Sequence, residues 1–280
     1  MDGKVVVITG GTSGIGEVAA QRLAARGARI VLVARDKART QATMAGLAKA
    51  GPGQAHTAHF ADLSSLAETR RVGAEIAAAE PRIDVLINNA GALFNRRNLS
   101  VDGLEMTFAV NHMAYFVLTE VLKDRLIAAA PARIVSTASG AHQGARLDFD
   151  DLQSARSYSG FSVYGRSKLC NILFTRELAR RLAGTGVTAN SLHPGFVATR
   201  FGDRSGGLTQ MLMPAARLGA ISPQKGAETI VYLASSPDVA GVTGLYFYKC
   251  AAETPSAAAQ DDAAAQRLWS ESERLAHVAA

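Results

Sequence analysis

Val5-Val-Val-Ile8 runs into Thr9-Gly-Gly-Thr-Ser-Gly-Ile-Gly16, and behind it Val18, Ala19, Leu23 and Ala24 recur at helical spacing. An apolar β-branched run, a glycine turn and a helix, in that order, constrain the fold more than any other stretch. They predict a strand buried on both faces, followed by a crossover helix. Glycines in such a turn let the backbone bend tightly. They also let a pyrophosphate approach the free N–H groups and the positive dipole end of the helix. The residues lining that cradle would be Gly10, Thr12, Ser13, Gly14, Ile15 and Gly16. The spacing is TGxxxGxG rather than GxGxxG, so on its own the turn also reads as a glycine-rich connection without a ligand.

The alternation of strand and helix continues along the chain. Residues 28–34 predict a second strand, with Arg35-Asp36 just beyond it. In folds of this kind that position faces the adenine ribose. A carboxylate there accepts from the ribose hydroxyls, whereas an arginine pairs with a 2′-phosphate. Arg35 stands first, which favours NADP(H) over NAD(H) while leaving NAD(H) possible. The plainer readings are a solvated charge for Arg35 and a helix cap for Asp36. A helix over 37–50 ends at Gly51-Pro-Gly53. A third strand over 54–60 leads to Asp62-Leu63, where Asp62 can accept from an adenine amino group or cap the next helix, over 65–79. The fourth strand, 83–87, runs into Asn88-Asn-Ala-Gly91. That turn lies where ligands bind in open α/β sheets, beyond the carboxyl ends of the strands.

A helix over 104–129 carries Asn111 amid apolar residues. An asparagine there needs a hydrogen-bond partner; it is either a satisfied core amide or the site of a local kink holding a water. The fifth strand, 132–139, ends in hydroxyls at Ser139. After an ordered excursion, a helix carries Tyr164-Gly-Arg-Ser-Lys168. Tyrosine and lysine four apart project from one helix face, so Ser139, Tyr164 and Lys168 can converge at the sheet edge. A sixth strand over 187–192 ends at His193-Pro194-Gly195. A helix over 223–234, a last strand over 244–248 and a helix over 263–275 follow. These elements predict one α/β domain over residues 1–280, a doubly wound Rossmann-type three-layer sandwich on a mostly parallel seven-stranded sheet.

Composition narrows the function classes. The net charge is +6, but the basic residues are scattered, and a basic stripe with interleaved aromatics is missing; nucleic acid is not expected as a partner. The two cysteines, Cys170 and Cys250, form no CxxC and no ligand cluster, so no metal site is expected. No apolar run approaches the ~18–20 residues that span a bilayer. The start of the chain reads as a strand rather than a signal peptide, which leads us to expect a cytoplasmic protein without a membrane anchor.

Taken together, the Thr9–Gly16 turn, Asn88-Asn-Ala-Gly91, Asn111, Ser139, Tyr164-Gly-Arg-Ser-Lys168 and Pro194-Gly195…Thr199 resemble the ordered motif set of the short-chain dehydrogenase/reductases over almost the whole chain. Val110-Asn-His112, Ser139-Gly-Ala-His142, Asn171-Ile-Leu-Phe-Thr-Arg-Glu-Leu-Ala179 and Ala264-Ala-Gln-Arg-Leu-Trp269 resemble its retinol dehydrogenase-like branch. The resemblance implies an oxidoreductase that moves a hydride between NADP(H) and a lipophilic alcohol or carbonyl. It makes Tyr164 the general acid/base, helped by Lys168, with Ser139 positioning the substrate oxygen and Asn111 anchoring a relay water. It assigns cofactor contacts to Asp62, Leu63, Asn89, Ala90, Gly91, Tyr164, Lys168, Pro194, Gly195, Val197 and Thr199. Substrate contacts fall to Ser139 and to Met211 in a substrate-binding segment over 200–222. The Met211 segment equally suits ordinary packing. His142 can touch substrate or stabilise its own loop, and His193 is read as structural rather than as a base. Ser13 stands where many NADP-using members place a basic residue, so the NADP(H) reading rests on Arg35. A homodimer or homotetramer is implied. A quinone or small-carbonyl reductase, and a silent nucleotide sensor on the same fold, are the rival readings.

Overall fold

The computed structural model describes residues 1–197 and 221–278. Among the described residues, eight strands form one sheet: β1 (Val5–Thr9), β2 (Arg29–Ala34), β3 (Thr57–Phe60), β4 (Val85–Asn88), β5 (Ala132–Thr137), β6 (Val187–Leu192), β7 (Tyr246–Tyr248) and β8 (Ala251–Ala252). Their order across the sheet is β3-β2-β1-β4-β5-β6-β7-β8. All neighbours are parallel except β7 and β8. The direction of winding reverses between β1 and β4, so the crevice beyond Thr9 and Asn88 is the switch point of the fold.

The sheet has helices on both faces. One layer contains α3 (Leu66–Ala79), α5 (Ala114–Ala128), α6 (Gly160–Arg181) and the C-terminal helix α9 (Asp262–Val278); the other contains α1 (Gly14–Ala24), α2 (Lys37–Ala50) and α8 (Glu228–Ser235). Strand residues divide between the two cores by the two-residue period of the pleat. Val7 and Val31 join Leu66, Leu118, Leu173 and Trp269 on one side. Val6, Ile8, Ile30 and Leu32 join Leu23, Leu47 and Ile230 on the other. This double burial is why the strands read as continuous apolar runs.

Three elements differ from the sequence expectation. The sheet has an eighth strand, because Lys249 and Cys250, at φ 49° and 62°, turn the chain back in two residues and pair Tyr248 with Ala251. The helix expected over 104–129 is interrupted. A first turn, α4 (Met106–Phe108), gives way to a π turn over Ala109–Met113 before α5 begins, and Asn111 lies in that wider turn. The helix expected over 223–234 is two pieces, α7 (Pro223–Gly226) and α8, joined at Ala227.

Helix starts show which termini are already occupied. Asp36 accepts from the Arg39 N–H at the start of α2, and Ser65 from the Glu68 N–H at the start of α3. Ser13 at the start of α1 makes no such side-chain bond. The first-turn N–H groups of α1 therefore have no side-chain cap, at the carboxyl end of β1 where the chain turns through glycine.

Candidate active site

Thr9 and Asn89 fix the shape of the glycine turn. The Thr9 hydroxyl accepts from the backbone N–H groups of Asn89 and Ala90 at 2.9 and 3.0 Å. The Asn89 amide donates to the Thr9 and Gly10 carbonyls, both at 3.2 Å, and accepts from Thr137 at 3.3 Å. That side chain is committed within the protein, so only backbone at Asn89 is left for a cofactor. Gly16 has no room for a side chain: a Cβ would stand 2.3 Å from the Gly10 carbonyl oxygen and 2.4 Å from the Asn89 amide nitrogen. Gly10, at φ +65°, is also pressed against the Ala90 backbone, where a Cβ would stand 2.8 Å from the Ala90 Cα. Beyond β2 and β3, Arg35 and Asp62 face each other at 3.9 Å, both about half exposed. Asp62 also caps Ser64, accepting from its N–H and hydroxyl at 3.0 and 2.9 Å. The Asp36 carboxylate is spent on capping α2 and on an ion pair with Arg39 at 2.9 Å. Arg39 accordingly holds the Asp36 carboxyl below its usual range. The Leu63 side chain is partly buried and packs against the core.

On α6, Tyr164 and Lys168 share one face, and Ser139 meets them from the end of β5. The Ser139 hydroxyl is hydrogen-bonded to the Tyr164 phenol and also accepts from the Ala141 N–H at 3.2 Å. Lys168 is buried, donates to the Thr137 carbonyl at 3.0 Å, and holds its ammonium nitrogen 5.7 Å from the ring centres of both Tyr164 and Tyr115. Desolvation dominates the ionisation of both groups. It pushes the Tyr164 phenol up to about 12, only partly offset by the Ser139 bond, and pulls Lys168 down to about 7.

Asn111 is a satisfied core amide. It accepts from the Ala92 N–H at 2.8 Å and donates to the Ala92 carbonyl and the Ser167 hydroxyl, each at 2.9 Å. Gly91 completes the enclosure: a Cβ there would lie 3.3 Å from the Lys168 nitrogen and 3.4 Å from the Asn111 oxygen. Ser167, Thr137 and Tyr115 belong to this network without having been singled out by the sequence, and Asn171, noted only for the family resemblance, joins it by donating to the Thr137 carbonyl at 3.1 Å. Their only sequence signal is position, Ser167 beside Lys168 and Tyr115 one turn beyond Asn111.

The two histidines near the site are structural. His142 is buried, donating through Nδ1 to the Ser139 carbonyl at 2.8 Å and accepting at Nε2 from the Ser256 N–H at 3.2 Å. With both nitrogens used, it ties its loop to the C-terminal segment. His193 accepts from the Gly195 N–H at 3.0 Å and stacks on Tyr248 at 4.0 Å, shaping the Pro194-Gly195 turn. Val197 follows that turn and pairs with Ile221, and both Val197 and Ile15 pack against Gly226. Thr199 and Met211, with most of the 200–222 segment, lie outside the described residues.

This arrangement places a glycine-lined helix start, a hydroxyl, a phenol and a buried amine along the carboxyl edge of one parallel sheet. The profile of the family described as short chain dehydrogenase matches residues 4–206. The chain belongs to the short-chain dehydrogenase/reductase family. Members are oxidoreductases acting on alcohol and carbonyl groups, and the relatives of this chain include the retinol dehydrogenases. Retinol dehydrogenase 14 of Mus musculus is 43% identical, over 99% of this chain and 87% of the relative. Among solved structures, an uncharacterized protein of Mycobacterium paratuberculosis superposes with a TM-score of 0.78 at 32% identity, covering 99% of this chain and 94% of that one. A short chain dehydrogenase from Burkholderia cenocepacia, solved in complex with NADP, gives 0.69 at 28% identity, covering 88% and 96%.

Proposed function

We propose that this short-chain dehydrogenase/reductase is an NADP(H)-dependent enzyme acting on lipophilic alcohols and carbonyls, with Tyr164 as the proton donor. The observation that carries the reading is the hydrogen bond between the Ser139 and Tyr164 hydroxyls beside buried Lys168. The residues fit a dinucleotide. The α1 start is uncapped by its serine, Gly10 and Gly16 leave backbone where side chains would stand, and Asp36 is withdrawn from ribose recognition by its cap. Backbone from Thr12 to Gly16 would hold the pyrophosphate, and Arg35 the 2′-phosphate. The backbone of Asn89, Ala90, Gly91, Pro194, Gly195 and Val197, together with Lys168, would frame the nicotinamide half. A bound nicotinamide supplies or accepts the hydride.

The protein's own part is orientation and proton transfer. The Ser139 hydroxyl hydrogen-bonds the substrate oxygen and sets it against Tyr164. A phenol held up to about 12 stays protonated at neutral pH, so it is ready to give its proton to a carbonyl oxygen as that oxygen gains charge. Lys168, near neutrality in its own titration, is placed to help return that proton. Two exposed aromatics support an apolar substrate: Phe161, one turn before Tyr164 on α6, and Phe196 beside Gly195, 68% and 57% accessible. Its relative retinol dehydrogenase 14 is named for a substrate of the same lipophilic class.

NADPH-linked reduction of butanal, octanal and decanal tests this reading. We expect activity to rise with chain length. Tyr164→Phe should lower kcat by about 10³-fold, within the usual range for a lost general acid, with NADPH binding retained. A variant with undiminished kcat would end the proposal. Arg35→Asp should weaken NADPH binding far more than NADH binding; equal effects on the two cofactors would remove the NADP(H) preference but leave the Tyr164 chemistry intact.

A further inference from the structure

His112 and Ser272 are far apart in sequence but meet in the core. Ser272 lies on α9 and His112 in the π turn, next to Asn111; both are fully buried. The Ser272 hydroxyl donates its single proton to the Leu268 carbonyl at 2.7 Å. Its oxygen can therefore only accept from His112, whose Nε2 stands 2.8 Å away, and that nitrogen must carry the hydrogen. The tautomer is thereby fixed, and Nδ1 is left buried with no hydrogen-bond partner among the described residues. Burial holds the imidazole down to about 3, so the ring is neutral at physiological pH.

The surroundings are aromatic. Phe108 lies 5.1 Å and Phe174 6.0 Å from the His112 ring, and Trp269 of α9 stacks on Phe174 at 5.7 Å. An apolar side chain would fill this space without an unsatisfied nitrogen. What a polar pair adds is direction, since it is satisfied in one relative placement of the π turn and α9. The same turn presents Asn111 to Ala92 and Ser167, with Gly91 enclosing Lys168. A continuous path of contacts thus runs from Ser272 through His112 and Asn111 to the lysine pocket.

We propose that the His112–Ser272 hydrogen bond is a strut through which the C-terminal helix positions Asn111 and the Lys168 pocket. The helix begins at Asp262, beyond the matched family profile, yet supports the catalytic edge. His112 and Ser272 are positioning residues, and the proposal rests on the reading of Tyr164 and Lys168 as the reacting pair.

Three variants of the full chain test it: Ser272→Ala, His112→Leu, and the two combined. Ser272→Ala strands the His112 N–H and should lower Tm, whereas the double variant removes both polar groups and should recover most of that loss. Loss of positioning should cut kcat for decanal with NADPH by about tenfold in Ser272→Ala and equally in the double variant, with KM little changed. In the unliganded protein, amides of residues 109–113 should exchange with deuterium about tenfold faster in both. A double variant that regains both Tm and wild-type kcat would reduce the pair to packing. Unchanged exchange would show that α9 does not hold the turn. If the wild type reduces none of the aldehydes, the functional reading fails, and the exchange experiment still decides the strut.

Discussion

Lys168 shows how far a single residue's surroundings govern it. It is buried, and the Thr137 carbonyl is its hydrogen-bond acceptor, so its charged form loses water and gains little in return. Its pKa falls from 10.5 to about 7. Across that interval the unfolded chain carries a proton that the folded chain does not. Stability conferred through this group therefore rises with pH between those values and is flat below the lower one. Lys168→Met removes the linkage. Calorimetric Tm values of unliganded wild type and variant should differ most at or below neutrality, with the variant the more stable of the two relative to its value at high pH. The gap should shift in favour of wild type as pH climbs toward 10.5. Parallel curves would mean that Lys168 keeps its proton in the folded protein. The sequence showed that Tyr164 and Lys168 share a helix face, because that follows from spacing alone. It did not show the desolvation, since that depends on Thr137, Tyr115 and Gly91 arriving from three other elements.

At the scale of elements, what could be read was what repeats. Strands β1, β2 and β4 announce themselves as apolar runs rich in β-branched residues, and Asp36 marks a helix start by capping chemistry, whereas α3 is capped by Ser65 rather than by Asp62. The π turn could not be read, because residues 106–128 are apolar on nearly every side and offer no period against which an extra residue would show. Asn111 was the one clue, and it suited a kink and a core amide alike. β8 was hidden for another reason. A two-residue hairpin with both φ values positive is ordinarily written Asn-Gly, and here it is written Lys249-Cys250. That wording strains the turn. Changing Lys249→Asn together with Cys250→Gly should raise stability by about 1 kcal/mol, because both positions would then suit the left-handed region. The bond from the residue-250 N–H to the Thr229 hydroxyl, 3.2 Å in the wild type, is available to glycine as well. Thermal unfolding of the two proteins measures the difference; a lower Tm for the double variant would show that the Cys250 side chain contributes more than the turn costs.

For the molecule as a whole, the doubly wound, mostly parallel sheet follows from the sequence once the βαβ units are recognised, since right-handed crossovers leave few ways to place parallel strands. The position of α9 does not follow, because nothing local says which face a terminal helix will cover. It covers the face shared by α5 and α6, and Trp269, the chain's single tryptophan, is 97% removed from solvent there. Its indole packs edge-on to Phe116 at 5.0 Å, and the Arg181 guanidinium lies 4.3 Å above the ring. Tryptophan fluorescence is thus a reporter of α9 docking alone, whereas far-ultraviolet circular dichroism reports all the helices. We propose that residues 1–280 unfold as one domain, because Trp269, Leu268 and Ala265 belong to the same core cluster as Val7 and Val31 near the opposite end of the chain. Denaturant curves from the two probes should then superimpose, with one midpoint and one slope. A fluorescence transition that precedes the loss of helix signal would mean that α9 undocks first. Its support of the π turn would then be a separable layer of stability, lost before the sheet itself gives way.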